Sequence, residues 1–197
     1  ARGCRDINVY EIANTYSNVD EEDMKLAILI SGDYMSNIWQ GIKVKSDFYV
    51  LKGIISDTLE YLGYQDRYSF VPDETVPDMH PGATAIIKVD DKEIGYMGRV
   101  HPSISKKEIY VLEISLSELA EKKTRPYRFK EQNKFPSITK DVAFVMPNDM
   151  NSAEVEKEIR RASGKLLKRI DIFDVYRGEN IEKDEKSIAY SLIFEDE

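Results

Sequence analysis

"NSAEVEKEIRRASGKLLKRIDIFDVYRG", residues 151–178, changes its period near the middle. The first half places Val155, Ile159 and Ala162 at helical spacing, and Asn151 and Glu154 stand three apart as in a capping box. After Gly164 the run "LLKRIDIFDVYRG" turns β-branched and aromatic, the pattern of a strand. "KDVAFVMP" (140–147) before it and "KSIAYSLIF" (186–194) after it also read as strands. The order is therefore β-α-β-β. Continued by a helix and a fourth strand, it is the βαββαβ sandwich, whose helices cover one sheet face and leave the other open. The bulky alternation assigns Val142, Phe144, Phe173, Val175, Ile188, Tyr190, Leu192 and Phe194 to the helix side. The opposite face then carries Ala143, Asp174, Tyr176, Ser187 and Ala189, with Asp174 and Tyr176 two apart and so on one side of a strand.

Upstream, "INVYEIANTY" (7–16) and "KLAILISG" (25–32) flank the acidic turn "SNVDEED" and read as a strand pair. "SDFYVLKGIISDTLEYLG" (46–63) sets Phe48, Leu51, Ile55 and Leu62 near helical spacing, with Ser46 as N-cap and Gly63 as C-terminal stop. "YSFVPDE", "ATAIIKVDDKEIGYMGRV" and "EIYVLEISL" read as strands, and Asp90-Asp91 turns a hairpin. "EKKTRPYRFKEQNK" (121–134) is highly charged, holds a proline and has no periodicity, which marks a linker. The fold class is α+β: residues 1–120 form one domain, 121–134 a linker and 135–197 a second domain.

At 197 residues the chain has ordinary hydrophobic (42%) and charged (32%) fractions, enough to bury a core. The single cysteine, Cys4, excludes an internal disulfide and a cysteine-built zinc site, and fits a reducing compartment, the cytoplasm by default. No apolar run is long enough for a membrane helix. The first residues lack an initiator Met and the layout of a signal peptide, as expected of a piece of a longer chain. The net charge of −8 argues against indiscriminate nucleic-acid binding, but it is unevenly placed. Residues 1–120 hold 12 Lys+Arg against 20 Asp+Glu, whereas residues 121–197 hold 16 of each. Within the second part Arg160, Arg161, Lys165, Lys168 and Arg169 form a basic strip without an acid. It reads equally as a phosphate contact or as a solvated helix end with cations favoured by the dipole.

No catalytic constellation assembles. His80 and His101 each precede a proline, which holds them extended in loops, and the favoured role is a hydrogen-bonded loop histidine rather than a base or ligand. Cys4 has no basic neighbour to make it a nucleophile. The carboxylate runs lack the spacing of a calcium loop, and no glycine-rich stretch matches a phosphate-cradling motif. Expected catalytic residues and metal ligands are therefore none. The open sheet face has two readings. An aromatic on a sheet is how several RNA-binding modules stack an unpaired base, and a carboxylate suits the adjacent N1 and N2 donors of guanine. Alternatively, the pair is surface covered by another domain.

"FPSITKDVAFV", "LLKRIDIFDVYRGENI" and "KSIAYSLIFEDE" resemble the ferredoxin-fold anticodon-binding domain of the bacterial phenylalanyl-tRNA synthetase beta subunit, with its Phe-Pro-x-x-x-(Arg/Lys)-Asp and Phe-Asp-x-Tyr-x-Gly motifs. "DFYVLKG", "HPGATA" and "IGYMGRVHPSI" resemble, in the same order, that subunit's catalytic-like domain. The resemblance implies a class II synthetase-like antiparallel sheet domain without the ATP-binding motifs, then a truncated ferredoxin-like βαββ(αβ) domain whose last helix and strand would follow Glu197. It implies a holoenzyme of two alpha and two beta subunits that uses ATP and Mg²⁺ to charge phenylalanine tRNA, with chemistry in alpha and no cofactor in this part. It places anticodon reading on Ala143, Asp174, Tyr176 and Ser187. Tyr176 would stack on a base, Asp174 accept from the first-base guanine, Ser187 add a hydrogen bond and Ala143 let the base approach. A regulatory module with a ferredoxin-like domain for a small ligand or dimerisation is the other class of function that the β-α-β-β order allows.

Overall fold

The computed structural model describes residues 4–18, 21–124 and 135–196. The chain divides into two compact units, Ala1–Arg128 and Phe129–Glu197.

The first unit is a six-stranded antiparallel sheet with one long helix. Its strands are β1 (Ile7–Asn18), β2 (Glu21–Ser31), β5 (Tyr68–Pro72), β6 (Met79–Val89), β7 (Lys92–Val100) and β8 (Ile109–Ser115), in the spatial order β1-β2-β8-β7-β6-β5. A separate hairpin, β3 (Asp33–Asn37) and β4 (Ile42–Lys45), precedes helix α1 (Phe48–Tyr61). This hairpin is not legible in the sequence reading, and its tip carries Trp39 at 83% exposure. The expected pairing of the first two strands and the Asp90-Asp91 turn are both present. Asp90 and Asp91 have φ of 51° and 63°, the left-handed pair that a two-residue hairpin turn requires.

Helix α1 departs from expectation at both ends. Asp47, not Ser46, is its N-cap: the carboxylate Oδ1 accepts the Val50 N–H at 2.7 Å. Ser46 lies buried instead. The inward stripe is Leu51, Ile55 and Leu59, all fully buried, while Leu62 is the exposed C-cap and Gly63 follows it at φ 88°. The 3.6-residue period alone would keep Leu62 on this stripe; it is exposed because it stands past the last helical residue, Tyr61, as the C-cap. That stripe joins Ile30, Ile87, Met97, Leu112 and Ile114 in the first core. A short helix, α2 (Leu116–Ala120), follows β8 with Ser115 as its N-cap. Gly95 permits the tight β7–β8 approach, because a Cβ there would sit 2.0 Å from the Glu113 carbonyl oxygen.

Residues 125–134, most of the expected linker, lie outside the described residues. Its first residues stay tied to the first unit. Arg67 donates to the Lys123 carbonyl at 2.7 Å, and the Tyr64 hydroxyl to the Lys122 carbonyl at 3.4 Å.

The second unit runs β9 (Ile138–Pro147), α3 (Ser152–Ser163), a single 3-10 turn (Gly164–Leu166), β10 (Leu167–Tyr176) and β11 (Glu185–Phe194). The three strands are antiparallel in the order β10-β11-β9, so the last strand enters between the first two. Asn151 caps α3, its side chain accepting the Ala153 N–H at 3.3 Å, with Glu154 in the first turn and Arg160 and Arg161 in the last. The core is Met146, Ile159, Leu167, Ile188, Tyr190 and Leu192, with Val142, Val155, Ile170 and Phe194 packed on it.

Four of the expected inward residues are exposed. Ala162 is exposed on α3, and on β10 Val175 and Phe173 are exposed, Phe173 by 59%. Phe144 is also partly open, although its ring centroid stands 6.1 Å from that of buried Tyr190. Phe173 sits where the β10–β11 register shifts: Ile172 opposes Tyr190, but the next partner of β11, Ala189, opposes Asp174. The extra residue is a β-bulge, and it resets which side chains face the helix. Ile170, Ile172 and Val175, opposite Leu192, Tyr190 and Ile188, all take the helix side.

Candidate nucleic-acid interface

The helix-free face of the second unit follows from the register. One row across the sheet is Asp174, Ala189 and Ala143, and the next is Tyr176, Ser187 and Val145. The four candidate anticodon residues therefore lie in two adjacent rows. Partners within a row stand about 5 Å apart and successive same-face residues about 7 Å. Together they make a patch the size of one base and its neighbour. Ala143 and Ala189 keep the middle of the patch low, and the Tyr176 ring, 42% exposed, rises at its edge.

Three features define what this patch offers. Tyr176 presents an aromatic surface next to a strand end, and its hydroxyl side reaches over Gly178: a Cβ on Gly178 would be 2.3 Å from the hydroxyl oxygen. Asp174 is an exposed carboxylate beside the two alanines. One row further, Ser191 donates to Asp141 Oδ1 at 2.8 Å, and Arg169 Nε donates to Asp171 at 2.8 Å. Asp141 is thus engaged by Ser191, and its neighbour Lys140 points to the opposite face of the strand.

The basic strip is not brought to this patch. Arg160 and Arg161 end α3, Lys165 lies in the 3-10 turn, and Lys168 and Arg169 begin β10, whose other end is Tyr176. At about 3.3 Å per residue, Lys168 stands about 25 Å along the strand from Tyr176. Within the strip Arg161 is matched by Glu158 at 2.9 Å and Arg169 by Asp171.

In the first unit the histidines take structural positions. His80 Nδ1 accepts the Gly82 N–H at 3.1 Å, and His101 Nδ1 accepts the Ser103 N–H at 3.2 Å. The sequence does not reveal that the two rings meet, with centroids 6.4 Å apart. Cys4 is exposed and free. A hollow of about 380 Å³ beside β2 and α2 is lined by Glu21, Glu22, Asp23, Lys25 and Glu118 among others. Among its carboxylates, Asp23 accepts the Ser115 hydroxyl at 2.6 Å, and Glu118 pairs with Lys92. Among the described residues no group of three or more His, Cys, Asp or Glu is arranged to hold a metal ion, and no helix is long and apolar enough to cross a membrane.

Residues 1–116 match the family described as "Phenylalanyl tRNA synthetase beta chain CLM domain", and residues 133–197 match "Ferredoxin-fold anticodon binding domain". Among curated relatives, the phenylalanine--tRNA ligase beta subunit of Shouchella clausii is 41% identical over 184 residues, 91% of this chain and 23% of that protein. That of Bacillus subtilis is 37% identical over 201 residues, 98% of this chain and 25% of that protein. That of Geobacillus kaustophilus is 33% identical over 205 residues, 100% of this chain and 25% of that protein. The chain thus spans about a quarter of the length of these relatives. Two family matches in the same order as the two compact units, and relatives of a single name along nearly all of its residues, place the chain in the phenylalanyl-tRNA synthetase beta subunit family.

Proposed function

We propose that this chain serves ATP-dependent charging of tRNA with phenylalanine as a non-catalytic part of the ligase, and that its second unit binds the tRNA anticodon through the helix-free sheet face. The observation that carries the reading is the pair of rows Asp174-Ala189-Ala143 and Tyr176-Ser187-Val145, where one ring and one carboxylate flank a floor of alanine. A flat base laid on that floor stacks on Tyr176, a contact worth about 1 to 3 kcal/mol per base. The Asp174 carboxylate accepts from the N1 and N2 donors of guanine, which no other base presents as an adjacent pair. Ser187 adds a hydroxyl to the base or sugar. Ala143 keeps the approach clear.

In the same reading residues 1–120 form a class II synthetase-like domain that packs against an alpha subunit, residues 121–134 link it to the anticodon domain of 135–197, and the assembly of two alpha and two beta subunits works in the cytoplasm. ATP and Mg²⁺ are assigned to alpha. Among the described residues no group of three or more His, Cys, Asp or Glu is arranged to hold Mg²⁺, so no step is routed through one here. Arg160, Arg161, Lys165, Lys168 and Arg169, distant from the base patch along β10, contact the tRNA backbone rather than the anticodon bases. A phosphate contact is sequence-independent and falls with salt, whereas a base contact is specific.

Filter binding of phenylalanine tRNA and of versions altered in the anticodon tests this. Tyr176→Ala is expected to weaken binding of the cognate tRNA by about 1 to 3 kcal/mol. Asp174→Ala is expected to narrow the gap between cognate and first-base-altered tRNA. Equal affinity for every anticodon, indifferent to both changes, would reject the base-reading role.

A further inference from the structure

The glycines of this chain fall into two kinds. Gly32, Gly41, Gly63, Gly95 and Gly164 have positive φ, a backbone conformation that disfavours any side chain. Gly178 is not among them, so its backbone is open to an alanine. What an alanine would meet is the ring of Tyr176. A Cβ on Gly178 would stand 2.3 Å from the hydroxyl oxygen, 2.5 Å from Cζ and 3.1 Å from Cε2 of that ring, and no other group is that near. Real carbon–carbon contacts begin about 3.5 Å apart. The phenol therefore lies flat against the main chain of Gly178, in room that exists only because the residue has no side chain.

The main chain that receives it is itself held. The Gly178 carbonyl accepts the Ile181 N–H at 3.1 Å, closing the turn that leaves β10. Tyr176 is anchored at the other end by its place in the ladder opposite Ser187. A tyrosine at a strand end otherwise samples several rotamers, and ordering it on binding has an entropic cost. Contact with Gly178 removes that freedom beforehand.

We propose that Gly178 is a positioning residue for Tyr176: its missing side chain gives the ring a fixed seat on the turn, which sets the plane on which a base stacks. The assignment rests on the base-stacking reading for its consequence, but not for its geometry. Two measurements on the 197-residue chain separate the two. In proton NMR, the Gly178 Hα resonances are expected upfield of coil values through the ring current, and to return to them in Tyr176→Ala. Coil values in the unaltered chain would overturn the seat.

The second measurement is affinity for phenylalanine tRNA. Gly178→Ala is expected to keep the thermal midpoint, since its φ accepts alanine, and to lose most of what Tyr176→Ala loses, about 5- to 150-fold for one stacked base. The double change Tyr176→Ala, Gly178→Ala is expected to bind no more weakly than Tyr176→Ala alone, because the glycine acts only through the ring. Unaltered affinity in Gly178→Ala beside a weakened Tyr176→Ala, or additive losses in the double change, would overturn the positioning role. Unaltered affinity in Tyr176→Ala with the ring shift present would overturn the stacking reading and leave the seat standing as local packing.

Discussion

Each unit lays one long helix on an antiparallel sheet, and the two differ in how much of the sheet that helix covers. In the first, Leu51, Ile55 and Leu59 of α1 are sealed against Ile87, Met97, Leu112 and Ile114, deep within six strands. In the second, α3 fully buries only Ile159. Beneath it Ile188, Tyr190 and Leu192 of the central strand are buried, while Phe144, Ile172 and Val175 on the flanking strands stay exposed on the helix side. A helix is about 10 to 12 Å across, wide enough for two strands at about 4.8 Å spacing and no more. The lesson is that the second unit is organised around β11, which is both the floor of its core and, through Ser187 and Ala189, the middle of its open face.

Core truncation gives the largest separation between the units. Leu51→Ala is expected to cost the first unit about 2 to 5 kcal/mol in denaturant unfolding, toward the upper end because its side chain is wholly buried in the larger core. Ile159→Ala, at the rim of a smaller core, is expected at the lower end, about 2 kcal/mol. Equal losses would break the contrast. The helix caps come next. Asp47→Ala removes a 2.7 Å charged contact to Val50 N–H and Asn151→Ala a 3.3 Å neutral one to Ala153 N–H, so losses of about 1 kcal/mol and somewhat less are expected from the same unfolding curves.

A change of opposite sign probes the second core. The Tyr190 ring is 0% exposed, and its hydroxyl has no hydrogen-bond partner among the described residues. Burial first, and the Glu156 charge after it, push its pKa up. Tyr190→Phe removes the orphan hydroxyl and keeps the packing, so the second unit is expected to hold its stability or gain about 1 kcal/mol. A loss of that size would show that the hydroxyl is engaged.

Alkaline pH is the mildest probe. Burial raises the Tyr68 pKa to about 12, against about 10 in an unfolded chain. The folded state therefore holds this proton more tightly, and the stability it contributes is whole below pH 10 and is lost as pH rises from 10 through 12. Tyr64, Tyr96 and Tyr110 are raised in the same unit, each by burial first, and Tyr190 in the other. Tyrosinate absorbance followed with hydrogen exchange is expected to show the first unit loosening over that window. Loosening confined to the second unit would invert the comparison.

Much of the frame was legible in residues. Asn151 with Glu154, the Asp90-Asp91 turn and the apolar run into "SNVDEED" each name a local conformation that needs no distant partner. The β3–β4 hairpin was not legible, because only the short "IKVK" alternates, "DYMSN" does not, and "IWQG" between them is no strong two-residue turn signal; its Trp39 is exposed rather than packed. Nor could the sequence pair His80 with His101, or separate the basic strip from Tyr176, since both depend on where distant segments end.

The open face shows where that boundary runs. The sequence alone determined that Asp174 and Tyr176 share a side, because a spacing of two fixes this in any strand. It put both on the helix-free side only by taking Phe173 and Val175 as inward. Strict alternation from Ile170 and Ile172 carries Asp174 and Tyr176 onto the core, whereas alternation from Phe173 and Val175 turns both isoleucines out. Only pairing with β11 decided, inserting Phe173 as a bulge so that Ile170, Ile172 and Val175 face the helix while Asp174 and Tyr176 face away. The physical reason is that an unpaired buried carboxylate costs more than one irregular ladder residue, and the cost appears only once a core exists for the strand to be packed against.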